Sequence, residues 1–181
     1  MGSHRLIALT STAGQIEAVK DKCDAVQVPP NQLAGWNIRN MVAFVCTPSD
    51  SVMVKATAVI EAFKDGAAEV VVAMDTIEPE LAGSQMATIA AARKGMVWFE
   101  LTRISCSIPR AAEMIEQIPV GCGLWTPTEY LVKLADICEV PAIWEIDDID
   151  ESVHCNAFAV TKLPEQKKTD KLTITSTELD L

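Results

Sequence analysis

Eight short apolar runs recur along the chain at nearly even spacing, and they constrain the fold more than any other feature. They are RLIALT (5–10), DAVQVP (24–29), MVAFVC (41–46), EVVVAMD (69–75), MVWFELT (96–102), VGCGLW (120–125), VPAIWEI (140–146) and CNAFAV (155–160). A strand with one face in water alternates apolar and polar residues. A nearly continuous apolar run belongs to a strand buried on both faces, as in a parallel sheet covered by helices.

Helical patterns lie between the runs. In 51–64, Val52, Ala56, Val59, Ile60 and Phe63 fall on one face, Asp50 or Ser51 suits the cap, and Gly66 ends the helix. In 79–94, Pro79 suits the first turn, Arg93 and Lys94 suit the negative end of the dipole, and Gly95 closes it. In 126–138, Thr126 and Glu129 read as a capping box with Pro127 at the first helical position, followed by a stripe of Leu131, Leu134, Ala135 and Cys138.

Eight strand candidates with helical patterns between them predict an α/β protein: a compact (βα)8 TIM-like barrel, with a doubly wound open sheet as the competitor. Length weighs against a full barrel, since such folds usually need about 200–250 residues. The connections at 30–40 and 147–154 are short, and a parallel crossover normally takes roughly 10–12 residues. The barrel is therefore expected to be incomplete or irregular at its last strand. Residues 1–163 form this unit in our reading, and 164–181 a polar C-terminal tail. Within the tail, KLTITS has the alternation of a strand that adds to a sheet edge.

The 181 residues carry a formal charge of −10. That disfavours nucleic acid and anionic membrane as partners. No apolar run reaches membrane-spanning length. Met1 to His4 resembles the remnant of an expression tag, and the LIAL that follows is too short for a secretory core. The six cysteines form no C-x-x-C pair and mostly sit in apolar segments, which points to reduced thiols and a cytoplasmic location. Neither a zinc-finger spacing nor a glycine-rich nucleotide loop occurs, so no cofactor is expected.

The stretch VKATAVIEAFKDGAAEVVVAMD (54–75), followed by ELAGSQ (80–85), resembles deoxyribose-phosphate aldolase. That family has a Lys-bearing helix ending in Gly-Ala-x-Glu, then a strand, then a loop with an Ala-Gly pair. DAVQVPP, VAFVCTPSD and GLWTPT resemble its second, third and sixth strands, and the likeness runs from residue 5 to about 160. The resemblance implies a (βα)8 barrel that cleaves 2-deoxyribose 5-phosphate through a lysine Schiff base. The residues for that chemistry do not carry over. Trp125 stands at the place of the Schiff-base lysine, Val71 at that of the fourth-strand aspartate, and Ile143 or Trp144 at that of the second lysine. The first-strand aspartate falls at about Ala8. The phosphate-binding Gly-Gly turn reads Glu145-Ile146-Asp147-Asp148, which would repel phosphate.

A Schiff base needs an amine of lowered pKa at the barrel mouth. Lys55, Lys64, Lys94 and Lys133 fall on helices and read as solvated, leaving Lys162, after the last strand, as the one lysine near a mouth position. The strand ends carry Asp75, Glu100, Arg103, Glu145, Asp147 and Asp148, readable as a cation-binding or acid/base cluster or as a solvated acidic rim. Cys46 and Cys106 lie near strand ends, with His154 late in the chain, as a Cys–His arrangement requires. Trp98, Trp125 and Trp144 fall in strands five to seven, where they plug the barrel or stack on a ligand.

The candidate pocket is thus Cys46, Asp75, Glu100, Arg103, Trp125, Trp144 and Glu145, with no catalytic residue assigned and no metal expected. The expected function is that of a catalytically degenerate aldolase-like barrel, a pseudoenzyme in a binding, structural or assembly role. A protein partner or self-association is expected, and a small-molecule ligand is compatible with the fold. The alternative is an active carbon–carbon lyase, or another small-metabolite enzyme, with relocated residues.

Overall fold

The computed structural model describes residues 4–47, 51–74, 79–101, 108–149, 152–166 and 174–178. Eight parallel strands close into a barrel: β1 (Arg5–Ala8), β2 (Ala25–Val28), β3 (Met41–Val45), β4 (Glu69–Ala73), β5 (Met96–Glu100), β6 (Cys122–Thr126), β7 (Ala142–Glu145) and β8 (Ala157–Val160). All eight apolar runs become strands, each trimmed to four or five residues. This economy fits a barrel into so short a chain.

The last strand is neither missing nor irregular. β8 pairs with β1 from Arg5↔Ala157 to Ala8↔Val160 and with β7 from Ile143↔Ala157 to Glu145↔Ala159. No helix is needed for this crossover among the described residues. Side-chain and backbone bonds replace it: Asn156 accepts from the Ala142 N–H at 2.8 Å and donates its own N–H to the Ala142 carbonyl at 2.8 Å. Beyond β8, the Thr161 N–H donates to Asp147 at 3.0 Å. The other short connection, between β2 and β3, is made by a 3-10 helix over Pro30–Gly35.

Alternation along the strands makes two cores. Ile7, Ala25, Val42, Val71, Trp98, Trp125, Ile143, Ala157 and Ala159 point into the barrel. Their neighbours, among them Val26, Ala43, Val70, Phe99, Leu124, Trp144 and Phe158, point outward into the helix layer. Both faces of every strand are therefore buried, which is why the runs carry no polar alternation. At the N-terminal end of the barrel, Arg5 donates to both carboxylate oxygens of Glu69, at 2.8 and 2.5 Å.

The helices are α1 (Ala13–Val19), α2 (Val52–Lys64), α3 (Pro79–Ala91), α4 (Ile108–Glu116) and α5 (Glu129–Ile137). The sequence reading assigned neither α1 nor α4. α1 is short but well signalled: Thr12 accepts from the Gln15 N–H, and the Gln15 side chain accepts from the Thr12 N–H.

Two helix readings need correction. In α2 the buried stripe is Lys55, Ala56, Val59 and Ala62, so Ile60 is exposed and Lys55 is not on a solvated face. Gly66, with φ +108°, does end that helix. α5 starts two residues later than the Thr126 capping box required, with Thr128 at the cap position. Thr126 is instead the last residue of β6. Its hydroxyl donates to the Leu101 carbonyl at 2.9 Å and accepts from the Thr128 N–H at 3.1 Å.

The C-terminal segment contributes β9 (Lys162–Gln166) and β10 (Ile174–Glu178), an antiparallel two-stranded ribbon. The alternating residues of this segment contribute a strand at 174–178, where a solvated terminus was the other reading, and it pairs with residues 162–166 and not with the barrel sheet. Among the described residues, Cys23, Cys46, Cys122, Cys138 and Cys155 are free thiols. No described helix is long and apolar enough to cross a membrane.

Candidate functional site

The strand C-terminal ends of a (βα)8 barrel are where its chemistry is placed. Here β5, β6 and β7 bring Glu100, Trp125 and Glu145 to that end. Glu100 is the register partner of Trp125, and Trp125 is the register partner of Ile143, two residues before Glu145. All three side chains occupy inward positions, two residues on from Trp98, Gly123 and Ile143 respectively. The Trp125 indole is completely buried, and its Nε1 donates to Glu145 Oε2 at 2.8 Å. From across the barrel, the Phe44 ring meets the indole edge-on, with centroids 6.5 Å apart and planes at 76°. Indole and phenyl thus meet inside the barrel, toward the C-terminal ends of β3 and β6, the indole fully buried and the phenyl half-buried.

Beneath them Trp98 lies across Gly123. A Cβ on Gly123 would come within 2.4 Å of Trp98 Cζ3 and 2.7 Å of the Pro141 carbonyl oxygen. Only glycine leaves room for this indole between β5 and β6. Among the described residues, the buried Nε1 atoms of Trp98 and Trp144 have no hydrogen-bond partner. A buried polar group in that state costs about 1–3 kcal/mol, so these two rings are held by packing alone.

Of the candidate pocket residues, the structure brings together Glu100, Trp125 and Glu145. Trp144 is a correction: it points outward, against Phe158 with centroids 6.1 Å apart. A pocket residue must share parity with Trp125's register neighbours, and Trp144 is one residue off. Cys46 is exposed just beyond the end of β3. Asp75 and Arg103 lie outside the described residues, as does Cys106.

Cys46 and His154 do not meet. His154 precedes β8, at the opposite end of the barrel, and its Nδ1 lies 2.6 Å from Asp136. The buried thiols are also poor nucleophiles: burial pushes Cys23 and Cys122 up, and Cys155 up to about 11. Among the described residues, no three His, Cys, Asp or Glu side chains converge on a metal position. Lys162 begins β9.

The same parity sorts the positions that the aldolase resemblance pairs with catalytic residues. Val71, Trp125 and Ile143 point into the barrel, as functional groups there would need to. Ala8 points outward, and its inward neighbour is Ile7. Val71, Trp125 and Ile143, the described inward positions that the resemblance pairs with the aspartate and lysines, are thus apolar or indole side chains.

Lys55 is the residue that sequence reasoning missed. It is 5% exposed, and its Nζ donates to the Ala73 carbonyl at 3.0 Å and to Thr47 at 3.4 Å. The amine ties α2 to the end of β4 and to the segment just after β3. Its spacing was the signal: Lys55 is three residues after Val52 and four before Val59, on the buried stripe itself.

No family model matches the chain, and no curated protein matches it. Solved structures do. An aldolase designated QR15 superimposes with a TM-score of 0.69 at 13% identity, over 86% of this chain and 88% of its own. A provisionally assigned deoxyribose-phosphate aldolase from Coccidioides immitis does so with a TM-score of 0.70 at 13% identity, over 87% and 80%. A 2,3-dimethylmalate lyase of the PEP mutase/isocitrate lyase superfamily matches with a TM-score of 0.63 at 10% identity, over 87% and 73%. The class defined is the (βα)8 barrel, and its structural neighbours include aldolases and other lyases. At these identities the likeness is one of fold, and fold leaves the chemistry open.

Proposed function

We propose that this chain is an aldolase-like barrel that has given up Schiff-base chemistry and serves a binding, structural or assembly role. The observation that carries this reading is Trp125. It sits inward near the end of β6, fully buried, with its N–H on Glu145 and its edge against Phe44. Schiff-base catalysis needs a desolvated amine facing a cavity that admits a carbonyl. None of the described inward strand positions holds a lysine, and the buried Trp125 indole stands among them with the Phe44 ring against its edge.

The lyase alternative draws on a different observation, the buried amine of Lys55 at the ends of β3 and β4. Its contacts argue for a clamp. The Nζ donates to the Ala73 carbonyl at the end of β4 and to Thr47 just after β3. A retro-aldol assay with 2-deoxyribose 5-phosphate separates the two readings. The pseudoenzyme reading expects no acetaldehyde above the buffer rate, and turnover that disappears in Lys55→Met would establish the alternative.

A further inference from the structure

We infer that the outer face of α2 and α3 is a homotypic interface, on which a second copy of this chain packs. This gives the assembly role proposed above a surface. Four of the seven large apolar side chains exposed among the described residues lie on these two adjacent helices: Met53 at 67%, Val54 at 44%, Ile60 at 48% and Leu81 at 48%. Met53, Thr57, Ile60 and Lys64 follow one another at i, i+4, i+7 and i+11, a stripe along one side of α2. On α3 the exposed positions after Leu81 are Ser84, Ala87, Thr88 and Ala91, all small. A flat helix pair edged by large apolar groups is suited to close packing.

Two further observations say what covers it. The first is charge. The chain carries −10, so any two copies repel wherever their carboxylates meet. The exposed face of these helices holds only Glu61, Lys64 and Glu80 as charged groups, because Lys55 is buried. A two-fold interface sets the same patch against itself and therefore needs one with little net charge. The second is the state of the hydroxyls. Thr57 donates to the Met53 carbonyl at 2.8 Å, Ser84 to Leu81 at 3.0 Å and Thr88 to Ser84 at 2.9 Å. Each exposed hydroxyl on the face already spends its proton within its own helix. The surface can lose its water without orphaning those donors.

Each helix is 13 residues long, or about 20 Å, so the pair covers a modest patch. That places the dimer at the lower end of stable interfaces. Sedimentation velocity across 1–200 µM reads this directly. We expect a reversible monomer–dimer equilibrium for the wild type. Ile60→Lys should weaken it at least tenfold while leaving the circular dichroism and melting temperature unchanged, and Leu81→Lys should do the same. Ile137→Lys, on the exposed side of α5, should leave it intact. A wild type that stays monomeric at 200 µM overturns the inference, and so does a dimer dissolved by Ile137→Lys but not by Ile60→Lys. These outcomes are independent of the retro-aldol assay, so a failure of either reading is recognised separately.

Discussion

The indole nitrogen of Trp125 donates to a carboxylate oxygen of Glu145 at 2.8 Å, joining the ends of β6 and β7 across the mouth of the barrel. A carboxylate at a strand C-terminal end is ordinarily available for chemistry. Here it is engaged by the buried indole. Trp125→Phe removes this bond and leaves a smaller ring, so it should cost about 1–3 kcal/mol. Glu145→Gln keeps an oxygen acceptor and should cost less than about 1 kcal/mol. Urea melts of both variants check the order; equal losses would show that the shared hydrogen bond, and not the packing of the indole, carries the effect.

Trp98 provides the contrast. Its buried N–H lacks a partner among the described residues, so Trp98→Phe loses packing but also removes a buried group that costs about 1–3 kcal/mol. It should destabilise less than Trp125→Phe. Gly123→Ala should be far worse than either, at roughly 3 kcal/mol or more, because the new methyl meets both the Trp98 ring and the Pro141 carbonyl. Pairing Gly123→Ala with Trp98→Leu should recover only part of the loss, since the carbonyl remains. Full recovery would mean that the backbone contact is unimportant.

Lys55 tests the clamp. Lys55→Met retains an apolar stem but strips the donor from the Ala73 carbonyl, and should cost about 1–2 kcal/mol. Hydrogen exchange should rise at the ends of β3 and β4 and stay unchanged at β7. Faster exchange throughout the barrel would contradict a local role.

The thiol of Cys155 gives a pH dependence. Burial raises it from about 9 to about 11 in the folded protein. Between those values the unfolded chain has released a proton that the folded chain keeps, so stability falls as pH rises from 9 to 11. The contribution is complete below pH 9. Cys155→Ala should remove this part of the alkaline loss, visible as a shallower fall of melting temperature over that window. An unchanged slope would place the cause elsewhere.

The strands were legible because both of their faces are buried. Continuous runs such as EVVVAMD carry the signal of a covered parallel sheet without any knowledge of partners. The β5–β7 part of the site was legible for the same reason, since Glu100, Trp125 and Glu145 stand at the ends of such runs. Direction was harder. Trp144 and Trp125 look alike in sequence, and only the strand register assigns one to the helix layer and the other to the lumen. Lys55 was misread because a lysine on a helix is usually solvated, although its spacing placed it among Val52, Ala56 and Val59. The strand β8 was legible in CNAFAV, but how so short a connection could lead into it was not. That connection rests on Asn156 bonding to a backbone 14 residues away, which no periodicity records.

The most direct measurement is borohydride trapping read by intact mass. Purified protein is incubated with acetaldehyde and with glyceraldehyde 3-phosphate, reduced with sodium borohydride, and compared with the same chain unfolded in urea. A barrel with the Trp125 indole buried against Phe44, and no lysine at a described inward strand position, predicts only the scattered, substoichiometric labelling of surface lysines. A single stoichiometric adduct in the folded protein, mapping to one lysine and lost on unfolding, would contradict the account and restore an active aldolase.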